Sequence, residues 1–572
     1  MAILLTVPVS AQWSADGVIP IDRAVTQGYD CCPDGQGGAW WAQNFWSMSN
    51  RHIHLQHIDS DGYLSFDSLG VDVVNASGCQ LIGIEPGLDG DVVVMFTRSY
   101  QEGDIYFSQV FAQRLTLNSV DQRVERLWGD LGINISNNDF NVKYPYNYDG
   151  YSTVSDGAGG LWGLWQNSSN VYVSGVNADG SLKHEAGVDP QLDYDSNIDE
   201  DIHIVEDGAG GLTMMFASDA DGRVSDRHFY AVNILADGSF RYDERQLVLN
   251  WPENDIAGYY TKPYHLRRDP QGGYVITTAY WWQRISDDLV PQWADQGVRA
   301  YDWDPPNYNL DEKSNPVILA DRSILQLCTT QPYEQAYLEQ VLEDGTRRFG
   351  TDWGPVAGDS TLDQFLPGPD FLAPDSESVI CIYNGYLSWP AGFRTMIQRL
   401  TPDGTNLWSH IVQIGTNTIT LRPTYWTVFY IDDYNICYFC VHAGAPDDEF
   451  KFYAFKLNVE DGTLAGVNSV SEPTDGDPSS PSAPALISNA YPNPFNSSVA
   501  LTISVQAPGI YDLVVHNVLG QTIHREAVDI HAPGEFVQTL TLPEGSASGI
   551  YFLTLQLTDG RHLSQKKVAY LR

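Results

Sequence analysis

Basic residues are scarce in this chain: 31 Lys and Arg stand against 73 Asp and Glu in 572 residues, a formal net charge of −42. Such a surface repels phosphate backbones and anionic head groups, which argues against nucleic acid or peripheral membranes as partners. Cysteine is scarce too. Seven in a chain of this length make no disulfide scaffold, and an odd number leaves at least one thiol unpaired within the chain. Cys31 and Cys32 are adjacent. Cys437 and Cys440 have the spacing of a zinc half-site, but they lie in the apolar run from Ile436 to Val441, where positions i and i+3 face opposite sides of a strand. No second CxxC completes a zinc site, so they read as core. Helical periodicity is nearly absent, and no segment approaches the roughly 18 apolar residues of a membrane-spanning helix. Gly-x-Ser-x-Gly, His-Glu-x-x-His and the Walker loop are missing.

What is present is a repeat. An acidic residue, a turn and an apolar run recur from Asp34 (DGQGGAWW), Asp89, Asp156 (DGAGGLWGLW), Asp207 (DGAGGLTMMF) and Asp269 (DPQGGYVI), with weaker copies at Asp321, Asp375 and Asp433. Some 20 to 30 residues after each comes a second phrase: an alternating strand, Asp-Gly, then a short strand. It is plain at Asp61-Gly62, Asp179-Gly180, Asp237-Gly238, Asp344-Gly345, Asp403-Gly404 and Asp461-Gly462, and degenerate near Asn118 and Asp302. Glycine supplies the positive φ of hairpin turns and Asp accepts hydrogen bonds from the turn backbone, so both phrases have a structural cause. Each unit reads as four antiparallel strands, and four-stranded units in tandem predict an all-β fold, a β-propeller over residues 12–470. Eight copies predict eight blades, with seven if a weak copy is misread. Asp16 to Ile21 resembles the last strand of a unit and is placed to complete the final blade, closing the ring and removing its sheet edges. Tryptophans after the Gly-Gly turns (Trp40, Trp41, Trp162, Trp165, Trp281, Trp282) read as wedges between neighbouring blades, with stacking on a glycan as the alternative.

A Pro/Ser-rich stretch, residues 471–486, separates this region from a tail at 487–572 that holds only 5 basic and 6 acidic side chains. The tail opens with Tyr491-Pro492-Asn493-Pro494-Phe495-Asn496 and continues through Val499 to Val505, Tyr511 to Gln521 with its Leu519-Gly520 turn, Gly549-Ile550-Tyr551, and a closing basic-apolar strand from Lys566 and Lys567. Alternation at Leu501, Ile503 and Val505, and at Leu513 and Val515, buries one face. These motifs, in this order, resemble the type A C-terminal sorting domain of the type IX secretion system, related to the immunoglobulin-like domain of flagellar hook-capping proteins. The resemblance implies a small immunoglobulin-like β-sandwich and contact with outer-membrane secretion machinery. It also implies export through the periplasm of a Gram-negative-type bacterium, ending secreted or on the outer cell surface. Residues 1–11 look like the stub of a secretory signal peptide, with Val9 and Ala11 suited to a cleavage site.

Chemistry-bearing constellations are few. Asp193, Asp195, Asn197 and Asp199 alternate oxygen ligands as calcium requires, and Asp219, Asp221 and Asp226 form a shorter candidate; an exposed acidic loop is the other reading, since neither completes an EF-hand loop. His52 and His54 share one strand face, an arrangement open to a transition metal or to solvent. The run from Thr401 to Trp408 resembles the aspartate box of sialidases, one residue short and without an identifiable arginine set. No catalytic residue is assigned. The sequence predicts an exported binding or structural module for a glycan or protein ligand, with an extracellular glycan-active hydrolase as the rival.

Overall fold

A computed structural model describes residues between Trp13 and Tyr570, apart from short loops and the longer stretches 137–152, 185–201, 251–264, 301–315, 415–428 and 465–484. The chain divides into two compact units, Met1–Val467 and Asn468–Arg572. Among the described residues both are all-β, without a helix.

In the larger unit the described strands form eight antiparallel sheets, each built from strands consecutive in sequence. The fourth gives the plan: His203–Glu206, Leu212–Asp219, Arg227–Ile234 and Gln246–Asn250 pair in that order. The first turn forms because Asp207 Oδ1 accepts the amides of Ala209 at 2.7 Å and Gly211 at 2.8 Å. Gly210 sits at φ 87°, which a side chain would strain. Asp34 and Asp156 hold their turns in the same way. In the second phrase Asp237 Oδ1 takes both the amide and the hydroxyl of Ser239, at 3.0 and 2.6 Å.

Successive sheets share apolar cores. Trp40, Leu55 and Phe66 of the first sheet pack with Leu81, Val94 and Phe96 of the second, and Met214 and Phe216 of the fourth pack with Trp162 and Val173 of the third. The indoles of Trp40 and Trp162 are fully buried, and each donates Nε1–H across to a turn of the next sheet, to the carbonyls of Gly90 and Gly210 at 2.8 Å. Each such bond contributes about 1 kcal/mol beyond the burial itself. Val18 and Ala454 exchange two backbone hydrogen bonds, 2.8 and 2.7 Å, which adds the N-terminal segment to the eighth sheet. There Phe452 and Ala454 share a core with Trp41 and Ile58 of the first.

Three local readings change. Trp281 and Trp282 do not follow a Gly-Gly turn but lie on the third strand of their sheet, Trp281–Ile285, reached by a hairpin after Tyr274–Thr277. The Asp-Gly equivalent of that sheet is Asp288-Leu289, not Asp302, with Leu289 at φ 57° and 2% exposed. In the second sheet, strands Val92–Glu102 and Ile105–Asn118 outgrow the repeat, and Ile133–Asn134 adds a fifth strand.

The smaller unit places a sheet of Ala485–Tyr491, Ser498–Val505 and Gly534–Thr541 around one core with a sheet of Thr522–Ile530, Gly509–Asn517, Gly549–Leu557 and His562–Tyr570. Val499, Leu501, Ile503, Leu513, Val515, Leu553 and Leu555 fill it. The first strand begins inside the stretch read as linker, at Ala485. Strands Thr522–Ile530 and Gly534–Thr541 escaped the sequence reading because their polar alternation lacks the apolar runs of their neighbours.

Candidate functional site

The leading strands of the first three sheets carry the chemically least conventional group in the molecule. Asp30, on Tyr29–Pro33, accepts the amide of Ile84 in the second sheet through Oδ2 at 2.9 Å and that of Cys31 through Oδ1 at 2.9 Å. A bulge between Leu81 and Gly83 in Cys79–Pro86 turns the Ile84 amide towards it. One residue on, Glu85 Oε1 accepts the hydroxyl of Thr153, on the leading strand Thr153–Ser155 of the third sheet, at 2.8 Å. Gly83 lies between them, where a Cβ would run into the Thr153 hydroxyl and crowd Asp30 Oδ2. Burial pushes the Asp30 carboxyl up to about 7 against the pull of the Ile84 and Cys31 amides. Burial, then the charge of Asp30, pushes Glu85 to about 8 against the Thr153 and Ser155 bonds. Both keep intermediate solvent exposure. Sequence reasoning missed the pair because it arises from register between sheets, which no motif within one repeat records.

The recurring acids are engaged otherwise. Asp34 Oδ2 meets His57 Nε2 at 2.9 Å and Asp156 Oδ2 meets Lys183 Nζ at 2.7 Å; in the second sheet Asp89 lies in the turn at φ 59°, and it is Asp91, two residues on, whose Oδ2 meets Arg114 Nη2 at 2.6 Å. Asp269 receives both Arg284 and Arg322. Burial pushes the Asp34 carboxyl up, but His57 and the Gln36 and Gly38 amides outweigh it and hold it below the usual range. In the aspartate-box-like run, Asp403 bonds the Thr401 hydroxyl and Trp408 Nε1 donates to the Val459 carbonyl of the next sheet at 3.1 Å. That run is therefore a turn and a wedge.

His52 and His54 both turn to Asp72, at 3.4 and 3.7 Å, while His57 faces the other way onto Asp34 and Ser65. Among the described residues no three His, Cys, Asp or Glu side chains are arranged to hold a metal ion. Asp193, Asp195, Asn197 and Asp199 lie outside the described residues, as do Asp221, Asp226, the signal-like residues 1–11, Pro492, Asn493, Pro494 and Gly520. Cys437 and Cys440 share the strand Ile436–Ala443.

In the tail, Phe495 is 2% exposed and forms a parallel bridge with Tyr570, their rings 5.1 Å apart, while Asn496 is exposed. Tyr491 ends the strand Ala485–Tyr491, and Gly549 and the buried Tyr551 lie on Gly549–Leu557. Lys566 and Lys567 stand opposite Leu553 and Phe552 on the edge strand His562–Tyr570. Among the described residues no helix is long and apolar enough to cross a membrane.

No curated protein matches the chain. Similar solved structures include a protein of unknown function from Dyadobacter fermentans, at 10% identity and TM-score 0.30, covering 78% of this chain and 98% of that one. A polysaccharide lyase matches at 10% identity and TM-score 0.37, covering 78% of this chain and 90% of its own. Prolyl oligopeptidase B from Galerina marginata matches at 12% identity and TM-score 0.37; 73% of this chain is covered, spanning 56% of the oligopeptidase. Likeness at this level transfers neither fold detail nor activity. The tail is different: with its strand order and its Phe495–Tyr570 closure in place, residues 489–569 match the family of secretion system C-terminal sorting domains, and this type IX sorting domain marks the chain for export to the cell surface or secretion.

Proposed function

We propose that residues 12–470 form a closed eight-bladed β-propeller, that residues 487–572 form an immunoglobulin-like sandwich, and that the exported protein is a non-catalytic binding or structural module for a glycan or protein ligand. The observation that carries the non-catalytic reading is the engagement of the repeat's acids and indoles by their own turns and by the next sheet, as with Asp34, Asp156, Trp40 and Trp162. The two-way bond between Val18 and Ala454 supports closure, because it supplies the eighth sheet with the strand it otherwise lacks. The secretion machinery is the partner of the tail.

One observation favours the rival hydrolase: Asp30 and Glu85 are raised carboxyls on adjacent leading strands, and raised carboxyls are what general acids use. Against it, each already accepts a hydrogen bond from the protein. Screening the full chain for glycan and protein binding, alongside polysaccharide cleavage by wild type and by Asp30→Asn/Glu85→Gln, separates the readings. Binding without cleavage is expected. Cleavage abolished by the double substitution would overturn the non-catalytic reading.

A further inference from the structure

His52 and His54 stand two residues apart on Arg51–Ile58, the third strand of the first sheet. The alternation that buries Ile53 and Leu55 in the core turns both imidazoles to the opposite face, where their side chains are 25% and 11% exposed. Asp72 joins them there because Val71–Asp72 pairs with that strand and sets Asp72 directly across from His54. One oxygen is the meeting point: Asp72 Oδ1 lies 3.4 Å from His52 Nδ1 and 3.7 Å from His54 Nε2. Both separations exceed an N–H···O hydrogen bond. Oδ1 is itself shielded from solvent and has no hydrogen-bond partner, although the Asp72 side chain as a whole is 45% exposed.

Hydrogen bonding decides which nitrogen of His54 faces the carboxylate with a lone pair. Its Nδ1 lies 2.8 Å from the Leu69 carbonyl, which can only accept, so Nδ1 carries a proton and in the neutral ring Nε2 presents its lone pair to Asp72 Oδ1. A lone pair against an anionic oxygen is unfavourable by itself and favourable around a cation. A backbone carbonyl holding the far nitrogen is also how metal-binding imidazoles are oriented. No Lys or Arg forms an ion pair with Asp72 among the described residues, and Arg126 is turned instead to the backbone carbonyls of Asp72 and Val73.

We propose that His52 and His54 chelate one divalent transition-metal ion of the kind imidazole favours, zinc(II), nickel(II) or copper(II), with Asp72 supplying the counter-charge. Side chains at i and i+2 of a strand rise about 6–7 Å apart on one face, a span that one ion bonded at about 2.0–2.1 Å to each ring bridges. Among the described residues no third His, Cys, Asp or Glu completes a closed set of ligands. The site is therefore an open one, whose remaining positions water fills and a ligand's own carboxylate or imidazole can take.

Calorimetric titration of the full chain with nickel(II) provides the test, with magnesium present at an ionic strength that screens the diffuse attraction of a −42 chain. Wild type should bind one nickel ion that magnesium does not displace, His52→Gln/His54→Gln should lose that site, and Asp72→Asn should weaken it about 10-fold or more. With copper(II), electron paramagnetic resonance should show splitting from two nitrogens that the double variant lacks. Equal uptake by wild type and double variant would mean adventitious binding to the acidic surface only and would overturn the site. If the double variant does not fold, acylation of the wild-type histidines by diethyl pyrocarbonate decides. Zinc(II) should then protect His52 and His54 but not the exposed His531, and equal labelling with and without zinc counts against the proposal.

Discussion

Replacing Asp156 and Asp207 by alanine, one at a time, separates two duties that a single repeat position performs. Both acids accept two turn amides through Oδ1. Losing those bonds costs about 1 kcal/mol each, so on that ground alone each variant loses about 2 kcal/mol. The second oxygen differs. Asp156 Oδ2 holds Lys183 Nζ at 2.7 Å with both side chains 3% exposed, whereas Asp207 has no ion-pair partner among the described residues. Removing one member of a buried pair costs about 3–5 kcal/mol because the survivor is left uncompensated. Lys183 retains Asn177 Oδ1 at 2.9 Å and the face of Trp162, which relieves part of that cost. The expected loss is therefore about 5 kcal/mol for Asp156→Ala and about 2 kcal/mol for Asp207→Ala. Unfolding entropy scales with chain length, so for a cooperative unit of this size about 1 °C is lost per kcal/mol. Calorimetry should show melting temperatures lower by about 5 °C and about 2 °C, and adding Lys183→Met to Asp156→Ala should recover most of the difference. Equal losses at the two sites, or no recovery, would refute the assignment of Lys183 as the decisive partner.

Val18→Pro removes the amide that bonds Ala454 and should lower the melting temperature while promoting association through the freed edge of the eighth sheet; an unchanged melting temperature and a monodisperse solution would count against ring closure. Deleting Lys566 to Arg572 takes away most of the edge strand His562–Tyr570 and the Tyr570 bridge to Phe495, so the protein should accumulate in the periplasm of a host with the matching secretion system; export equal to that of the full chain would sink the role given to this strand. If Asp193, Asp195, Asn197 and Asp199 converge on calcium, calcium should raise the melting temperature more than magnesium at equal ionic strength, and Asp195→Asn should abolish the difference. Identical shifts with both ions would leave only charge screening.

The elements legible in the sequence were those whose cause is local. A turn that needs positive φ and an acid to bind its amides writes both into a few consecutive residues, so the turns at Asp34, Asp156, Asp207 and Asp237 could be placed to the residue. The fifth sheet marks where that logic stops. Leu289 occupies the conformation that glycine usually takes, because its side chain is buried against Tyr274 and Ile276, and packing there offsets the backbone strain. A search for Asp-Gly passes over it. The aromatic four positions later is the surviving signal: Trp293 after Leu289 corresponds to Trp408 after Gly404, and both send Nε1–H to a carbonyl of the following sheet, Glu343 and Val459.

Contacts between sheets lie beyond any one repeat, and that is where the least expected chemistry sits. Neither Asp30 nor Glu85 belongs to the recurring turn phrases, so nothing in one repeat marks them. The bulge at Leu81–Gly83, the side-chain-free Gly83 and the docking of Thr153–Ser155 bring the two residues to the junction of the first three sheets. The same dependence explains why the sorting tail was easier to recognise than the large unit. Its motifs, Tyr491 to Asn496 and Gly549 to Tyr551, each lie within a few consecutive residues, whereas the contacts between sheets join residues far apart in the chain. What meets between sheets is therefore decided by register: the bulge at Leu81–Gly83 brings the Ile84 amide to Asp30, and the docking of Thr153–Ser155 brings the Thr153 hydroxyl to Glu85.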